Sequence, residues 1–115
     1  MNNNTDLTNL NVSNNSLTIL DISNNTKLEK VNAQNDGQKG LLKEIKLGSE
    51  YPNLTSLSFY NNHVESFDFS KLTSDKKITV NGKYNKLKYA DLSGIQSKNK
   101  STNFDLSGNN LLGYD

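Results

Sequence analysis

The chain repeats itself at a short period, and that period limits its fold more than any other feature. Leu7, Leu10, Val12, Asn15 and Leu17 fall on the pattern L-x-x-L-x-L-x-x-N-x-L. Leu17, Leu20, Ile22 and Asn25 repeat it from the shared Leu17, and Leu54, Leu57, Phe59, Asn62 and Val64 fit it again. Weaker copies fill the gaps: Leu28, Val31 and Ala33; Leu42, Ile45 and Leu47; Val64, Phe67 and Phe69; Ile78 and Val80; Leu87, Ala90 and Leu92; Phe104, Leu106, Asn109 and Leu111. Self-similarity at a fixed short spacing is the mark of a solenoid.

The spacing gives the size of one coil. Val12, Ala33, Phe59, Val80 and Leu106, taken as equivalent, step by 21, 26, 21 and 26 residues. The intervening set Ile22, Leu47, Phe69 and Leu92 steps by 25, 22 and 23. Each coil therefore carries two strand-like segments, and the apolar register places nine of them near residues 8–13, 18–23, 29–34, 43–48, 55–60, 65–70, 77–81, 88–93 and 103–107. Alternation within a segment sends one row of side chains inward and the next outward. A single coil cannot bury its inward row, but stacked coils share one continuous core. This explains how a chain only 32% hydrophobic can fold.

Asparagine has a definite use here. Its side-chain amide can satisfy backbone groups left open where the chain turns away from a strand. Asn15, Asn62 and Asn109 hold that place and form an expected structural ladder, with Asp36 and Lys83 standing in it in the intervening coils. Those two coils are expected to turn less regularly, with Gly37, Gly40 and Gly82 adjusting the loops.

The runs LTNLNVSNNSLTILDISNNTKLEKV and NLTSLSFYNNHVESFDFS resemble bacterial leucine-rich repeats with units of about 21 residues, of the internalin-like surface-protein kind. The resemblance covers residues 7–33 and 54–72 and is degraded elsewhere. It implies a mainly β leucine-rich-repeat solenoid of about four to five coils, with parallel strands on two walls and no long helices. It also implies ligand contact on the exposed sheet face. Residues 1–115 form a single solenoid domain, expected to be a segment of a larger protein.

Composition narrows the partners. All 13 basic residues are lysine, asparagine is abundant, and arginine and cysteine are absent, a vocabulary that suggests an AT-rich bacterial genome. The net charge of +1 gives no general pull toward nucleic acid or membrane. Residues 71–100 do carry a lysine surplus, from Lys71, Lys76, Lys77, Lys83, Lys86, Lys88, Lys98 and Lys100 against Asp75 and Asp91. Without arginine, bidentate phosphate and guanine contacts are not offered, so nucleic acid is not expected as a partner. No apolar run approaches the ~20 residues of a membrane span, so membrane insertion is not expected either.

Candidate chemistry is sparse. His63 is the single histidine, sits after Asn62 at a turn, and has no identifiable partner. Asp21, Asp68 and Asp91 share one register with Lys46 interleaved, which reads as a solvated column rather than a metal ladder. No nucleophile elbow, P-loop or dinucleotide fingerprint is present. Neither a catalytic site, a metal nor a cofactor is expected. The outward face of the first strand set should show three columns: Asn9, Lys30, Ser56, Lys77, Asn103; Asn11, Asn32, Ser58, Thr79, Asp105; and Ser13, Gln34, Tyr60, Asn81, Ser107. Tyr60 is the one large anchor there, so the ligand-face candidates are Tyr60, Gln34, Ser58, Asn81, Asn32 and Lys77.

The function expected is non-catalytic recognition or adhesion of a protein or glycan, on a bacterial surface or outside the cell. The alternatives are a structural spacer without a ligand and an intracellular protein-interaction module. Leu10, Val12, Leu106 and Leu111 are expected to be exposed at uncapped ends, giving self-association. The facing itself is testable by denaturant melts. Leu57→Ala, on the inward row, should cost about 2–5 kcal/mol, and Ser58→Ala, on the outward row, no more than about 0.5 kcal/mol. Similar effects at the two sites would mean that the facing is wrong.

Overall fold

In the computed structural model, which describes residues 4–92 and 103–114, the protein is a mainly β solenoid of about four turns. Its strands are β1 (Asn9–Asn11), β2 (Ile19–Asp21), β3 (Lys30–Asn32), β4 (Glu44–Lys46), β5 (Ser56–Ser58), β6 (Thr79–Asn81), β7 (Tyr89–Ala90), β8 (Asn103–Asp105) and β9 (Gly113–Tyr114). One wall is a five-stranded sheet in the order β1-β3-β5-β6-β8, and the other carries the pairs β2-β4 and β7-β9. Every pairing is parallel. Among the described residues no helix is long and apolar enough to cross a membrane.

The core follows from the alternation. Leu10, Val31, Leu57 and Val80 occupy one row of the large sheet and are buried, with Phe104 half-buried at its end. Leu20, Ile45 and Ala90 face them from the second wall. Tyr51 closes the bend between β4 and β5. It is 1% exposed, and its hydroxyl donates to the Ile22 carbonyl at 2.7 Å while accepting from the Gly48 N–H at 2.7 Å.

Three expectations are corrected. Residues 65–70 do not form a strand: a 3₁₀ turn spans Phe69–Lys71, capped by Asp68. Phe67 stacks on Phe59 at 5.3 Å and meets Phe69 edge-on at 4.8 Å. Rings of that size where other coils have Leu20 or Ile45 hold this backbone out of ladder register with β4. The pairing of β9 with β7, in contrast, adds a strand that the apolar pattern did not mark. The second correction concerns the ends. Leu10 is 8% exposed, because Leu7 and Val12 pack with it against the core; Val12, Leu106 and Leu111 are half-buried.

The third correction is a slip of register in the fourth coil. Leu57 pairs with Val80, so Gly82, not Val80, is equivalent to Val12, Ala33, Phe59 and Leu106. The rows then step by 21, 26, 23 and 24 residues. Gly82 is required by space: a Cβ there would stand 2.8 Å from Phe59 and 2.9 Å from Leu106. Because the slip is two residues, inward and outward positions keep their sides.

The same slip completes the asparagine ladder. Asn62 donates to the carbonyls of Ala33 (2.9 Å) and Phe59 (3.1 Å), and its Oδ1 accepts from the Leu42 N–H (3.3 Å) and the Asn35 amide (3.0 Å). Asn109 repeats this with Gly82 and Leu106 as acceptors and the Leu87 N–H as donor, each at 2.9 Å. Lys83 does not hold the place between them. Asn85 does, donating to Phe59 (2.9 Å) and Gly82 (3.1 Å) and accepting from Val64 (3.0 Å). Asn15, in the first coil, bonds only its own turn, at Val12 (2.9 Å) and Ser13 (3.1 Å), and is exposed.

Asn62→Ala should therefore cost roughly 3–5 kcal/mol, since it strands several buried backbone groups at ~1–3 kcal/mol each. Asn15→Ala, which strands exposed groups that water can reach, should cost about 1 kcal/mol. Urea melts of the two variants compare them directly, and comparable losses would remove the ladder from its structural role.

Candidate functional site: the outer face of the five-stranded sheet and its rim

The strand register sets the outward columns. The first holds Asn9, Lys30, Ser56, Thr79 and Asn103, and the second Asn11, Asn32, Ser58, Asn81 and Asp105. Beyond the strands the third holds Ser13, Gln34, Tyr60, Lys83 and Ser107. Asn32, Ser58 and Asn81 are thus brought side by side, as direct neighbours in one column. Tyr60 and Gln34 stand in the next. Lys77 is corrected: Thr79 takes its place in the first column, and Lys77 is exposed outside β6. Asn81 moves from the third column to the second, and Lys83 replaces it.

Much of this face is already hydrogen-bonded to itself. Asn11, Asn32, Asn81 and Asp105 each accept, through Oδ1, the backbone N–H two residues on, closing the strand into its turn. Ser58 Oγ donates to Gln34 Oε1 (3.0 Å), and Gln34 Nε2 donates to Asp36 Oδ1 (2.9 Å). Asp36 N–H in turn donates to Asn14 Oδ1 (2.9 Å), so one network links three coils. What remains for a ligand is a set of outward amide N–H donors and hydroxyls, held in place by these bonds.

The rim is more distinctive. Asn14, Asn61, Tyr84 and Gly108 occupy the same step after the strand, with φ of 56°, 62°, 57° and 73°. Asparagine and glycine tolerate this left-handed conformation, whereas tyrosine is uncommon in it. The Tyr84 ring meets Tyr60 edge-on, centroids 5.9 Å apart and planes at 63°. A Cβ on Gly108 would stand 2.1 Å from Tyr84 Cδ1, so glycine both adopts the turn and clears the ring. Tyr60 is half-buried and Tyr84 is 46% exposed, which makes Tyr84 the accessible member of the pair. Lys83 Nζ lies 5.4 Å from the Tyr84 ring centroid, and Lys39 Nζ donates to the Tyr84 carbonyl at 2.5 Å.

Tyr84 was missed in the sequence because the fourth coil was placed two residues early. Counting back from Asn85 by the spacing seen at Asn62 would have put Lys83 beside Tyr60 and Tyr84 at the left-handed step. On the second wall Ile19 (48% exposed) and Tyr89 (67%) project outward, but Glu44 is the register partner of Ile19 and no aromatic pair forms there. Ser93, Gly94, Lys98 and Lys100 lie outside the described residues.

Three of the carboxylates close turns. Asp21, Asp68 and Asp105 each accept from the N–H and hydroxyl of the serine two residues on, with hydroxyl distances of 2.6, 2.6 and 2.8 Å. The serine hydroxyl is the main reason that the carboxyls of Asp68 and Asp105 ionise below their ordinary value of 3.8. His63 is half-buried in a hollow of about 570 Å³ lined also by Lys43, Glu65, Lys86 and Lys88. Among the described residues no group of three or more His, Cys, Asp or Glu is placed to hold a metal ion. No protein-family model, curated protein or solved structure matches the chain.

A carboxyl with a depressed folded-state value contributes stability above its unfolded value and loses it as pH falls through the folded one. Carboxyl-carbon NMR titration should therefore give Asp105 a midpoint below 3.8, and Ser107→Ala should move it upward. An unshifted Asp105 in the intact protein would contradict the turn-closing bond.

Proposed function

We propose that the chain is a leucine-rich-repeat module of the internalin-like kind, which holds a protein or glycan ligand on the outer face of its five-stranded sheet and catalyses nothing. The repeat assignment is supported by the asparagines, whose amides join coils in the pattern positions Asn62 and Asn109 and in the displaced position Asn85. A bacterial cell-surface or secreted setting fits the Asn- and Lys-rich, arginine-free composition.

The observation that carries the binding role is the Tyr60–Tyr84 pair, with centroids 5.9 Å apart, at the rim of a face otherwise made of small polar groups. Tyrosine combines apolar area with a hydrogen-bonding tip and is favoured where proteins meet ligands. Tyr84 is kept in a backbone conformation that costs an L-residue roughly 1–2 kcal/mol. That cost is easier to understand if the ring serves a surface function. The competing reading, an inert spacer, draws on the first two columns, which offer little apolar area.

The test is a binding screen against arrayed neutral and acidic oligosaccharides and extracellular-matrix proteins. At least one should bind and lose about tenfold in affinity, near 1.4 kcal/mol, in Tyr60→Ala or Tyr84→Ala with the fold intact by circular dichroism. Binders indifferent to both substitutions would exclude this rim. A screen without any binder would favour the spacer.

A further inference from the structure

Three lysines of the surplus, Lys83, Lys86 and Lys88, are joined by Lys39 and Lys43 from an earlier coil in a band that starts at the tyrosine rim. Lys83 lies over the Tyr84 ring, and Lys39, from two coils earlier, reaches the Tyr84 carbonyl. Lys39 also lies within the field of Lys86, and it is held below the ordinary lysine value of 10.5, first by partial desolvation and then by that like charge. Lys86 in turn lines the hollow that holds Lys43, His63 and Lys88, where Glu65 is the sole acidic lining residue. The band thus runs from the sheet rim, around the turn edge, to the second wall.

Two carboxylates stand beside it, Glu65 in the hollow and Asp105 within the field of Lys83, fewer than the five lysines they face. The ion pair Lys27–Asp6, at 2.7 Å, lies outside the band. Like charges drawn together from separate coils repel, and an anionic ligand relieves what the two carboxylates leave. The net charge of +1 means that the excess is local, so the band can draw a negatively charged ligand to one place on the molecule.

We propose that this band, with Tyr84 at its head, binds an acidic polysaccharide, its carboxylate or sulfate groups on Lys39, Lys86 and Lys88 and a sugar ring against Tyr84. The proposal rests on the reading of the rim as a ligand surface and narrows that ligand to one class. Saccharide is favoured over nucleic acid by the side chains available. Lysine contacts an anionic group as a point charge, while the guanidinium forks that suit phosphate and guanine are missing. The exposed rings, Tyr84 at the sheet rim and Tyr89 on the second wall, offer one stacking platform each, not the contiguous series that successive bases use.

Isothermal titration of the full chain with a heparin dodecasaccharide and with polygalacturonate, at several salt concentrations, tests this. Binding of either probe is expected, with log affinity falling against log salt. The variant carrying Lys39→Gln, Lys86→Gln and Lys88→Gln should bind at least about tenfold more weakly with a shallower salt slope. A control with Lys46→Gln, Lys71→Gln and Lys76→Gln, which removes the same charge elsewhere, should stay within about twofold. Tyr84→Ala should weaken binding about threefold or more while leaving the salt slope unchanged, a split that a purely electrostatic site would not give. No binding, equal loss in the two lysine variants, indifference to Tyr84→Ala, or tighter binding of a single-stranded DNA of equal charge would each overturn the proposal. If both probes fail while a neutral glycan or a protein still binds in a Tyr60-dependent way, this inference falls and the rim reading stands.

Discussion

The amide of a buried asparagine joins one coil to the next, and most of the architecture depends on that bond. Strands of only two or three residues make few ladder hydrogen bonds, too few to fix the path of the chain between walls. At Asn62, Asn85 and Asn109 one side chain accepts the N–H that opens the second segment of the coil before it and donates to carbonyls on both coils. A buried carbonyl or N–H without a partner costs about 1–3 kcal/mol, so each amide replaces a penalty that the turn would otherwise carry. Hydrophobic burial makes the stack favourable; the ladder decides where each coil must turn.

This division of labour explains what was legible in the sequence and what was not. The inward row depends on period-two alternation, which survives even a displaced start. Leu10, Val31, Leu57 and Val80 were therefore identifiable as core from sequence alone. The length of each coil depends instead on where its asparagine falls. In the fourth coil Val80 looked like the last inward residue, because Gly82 has no side chain to register as apolar. Space beside Phe59 and Leu106 demands glycine there, so the true equivalent was hidden by the packing that requires it. The third coil failed differently. Its apolar spacing was that of a strand, and ring size, which a hydrophobic pattern does not encode, turned residues 69–71 into a 3₁₀ turn.

The candidate face shows the same limits. Asn32, Ser58 and Asn81 were recognisable as outward, and Tyr60 as the large residue among them. Neither the self-bonding of that face nor its rim could be read from spacing. Whether Gln34 is free or committed depends on Ser58 and Asp36, one from a neighbouring coil, and only the register brings them together. Lys77, placed by the same reasoning that mislaid Gly82, left the column for the same reason.

Tyr84 draws these threads together. Its position is set by Asn85, the next residue, whose amide fixes the turn. Its ring has room because Gly108 in the following coil lacks a Cβ. Asn14 and Asn61 at the equivalent step show that the turn itself does not need an aromatic residue. Tyrosine there costs backbone energy and exposes a ring, with Lys39 and Lys83 gathered around it. Stability alone favours asparagine or glycine at this step, and the presence of tyrosine there is what motivates the proposal that this rim contacts another molecule.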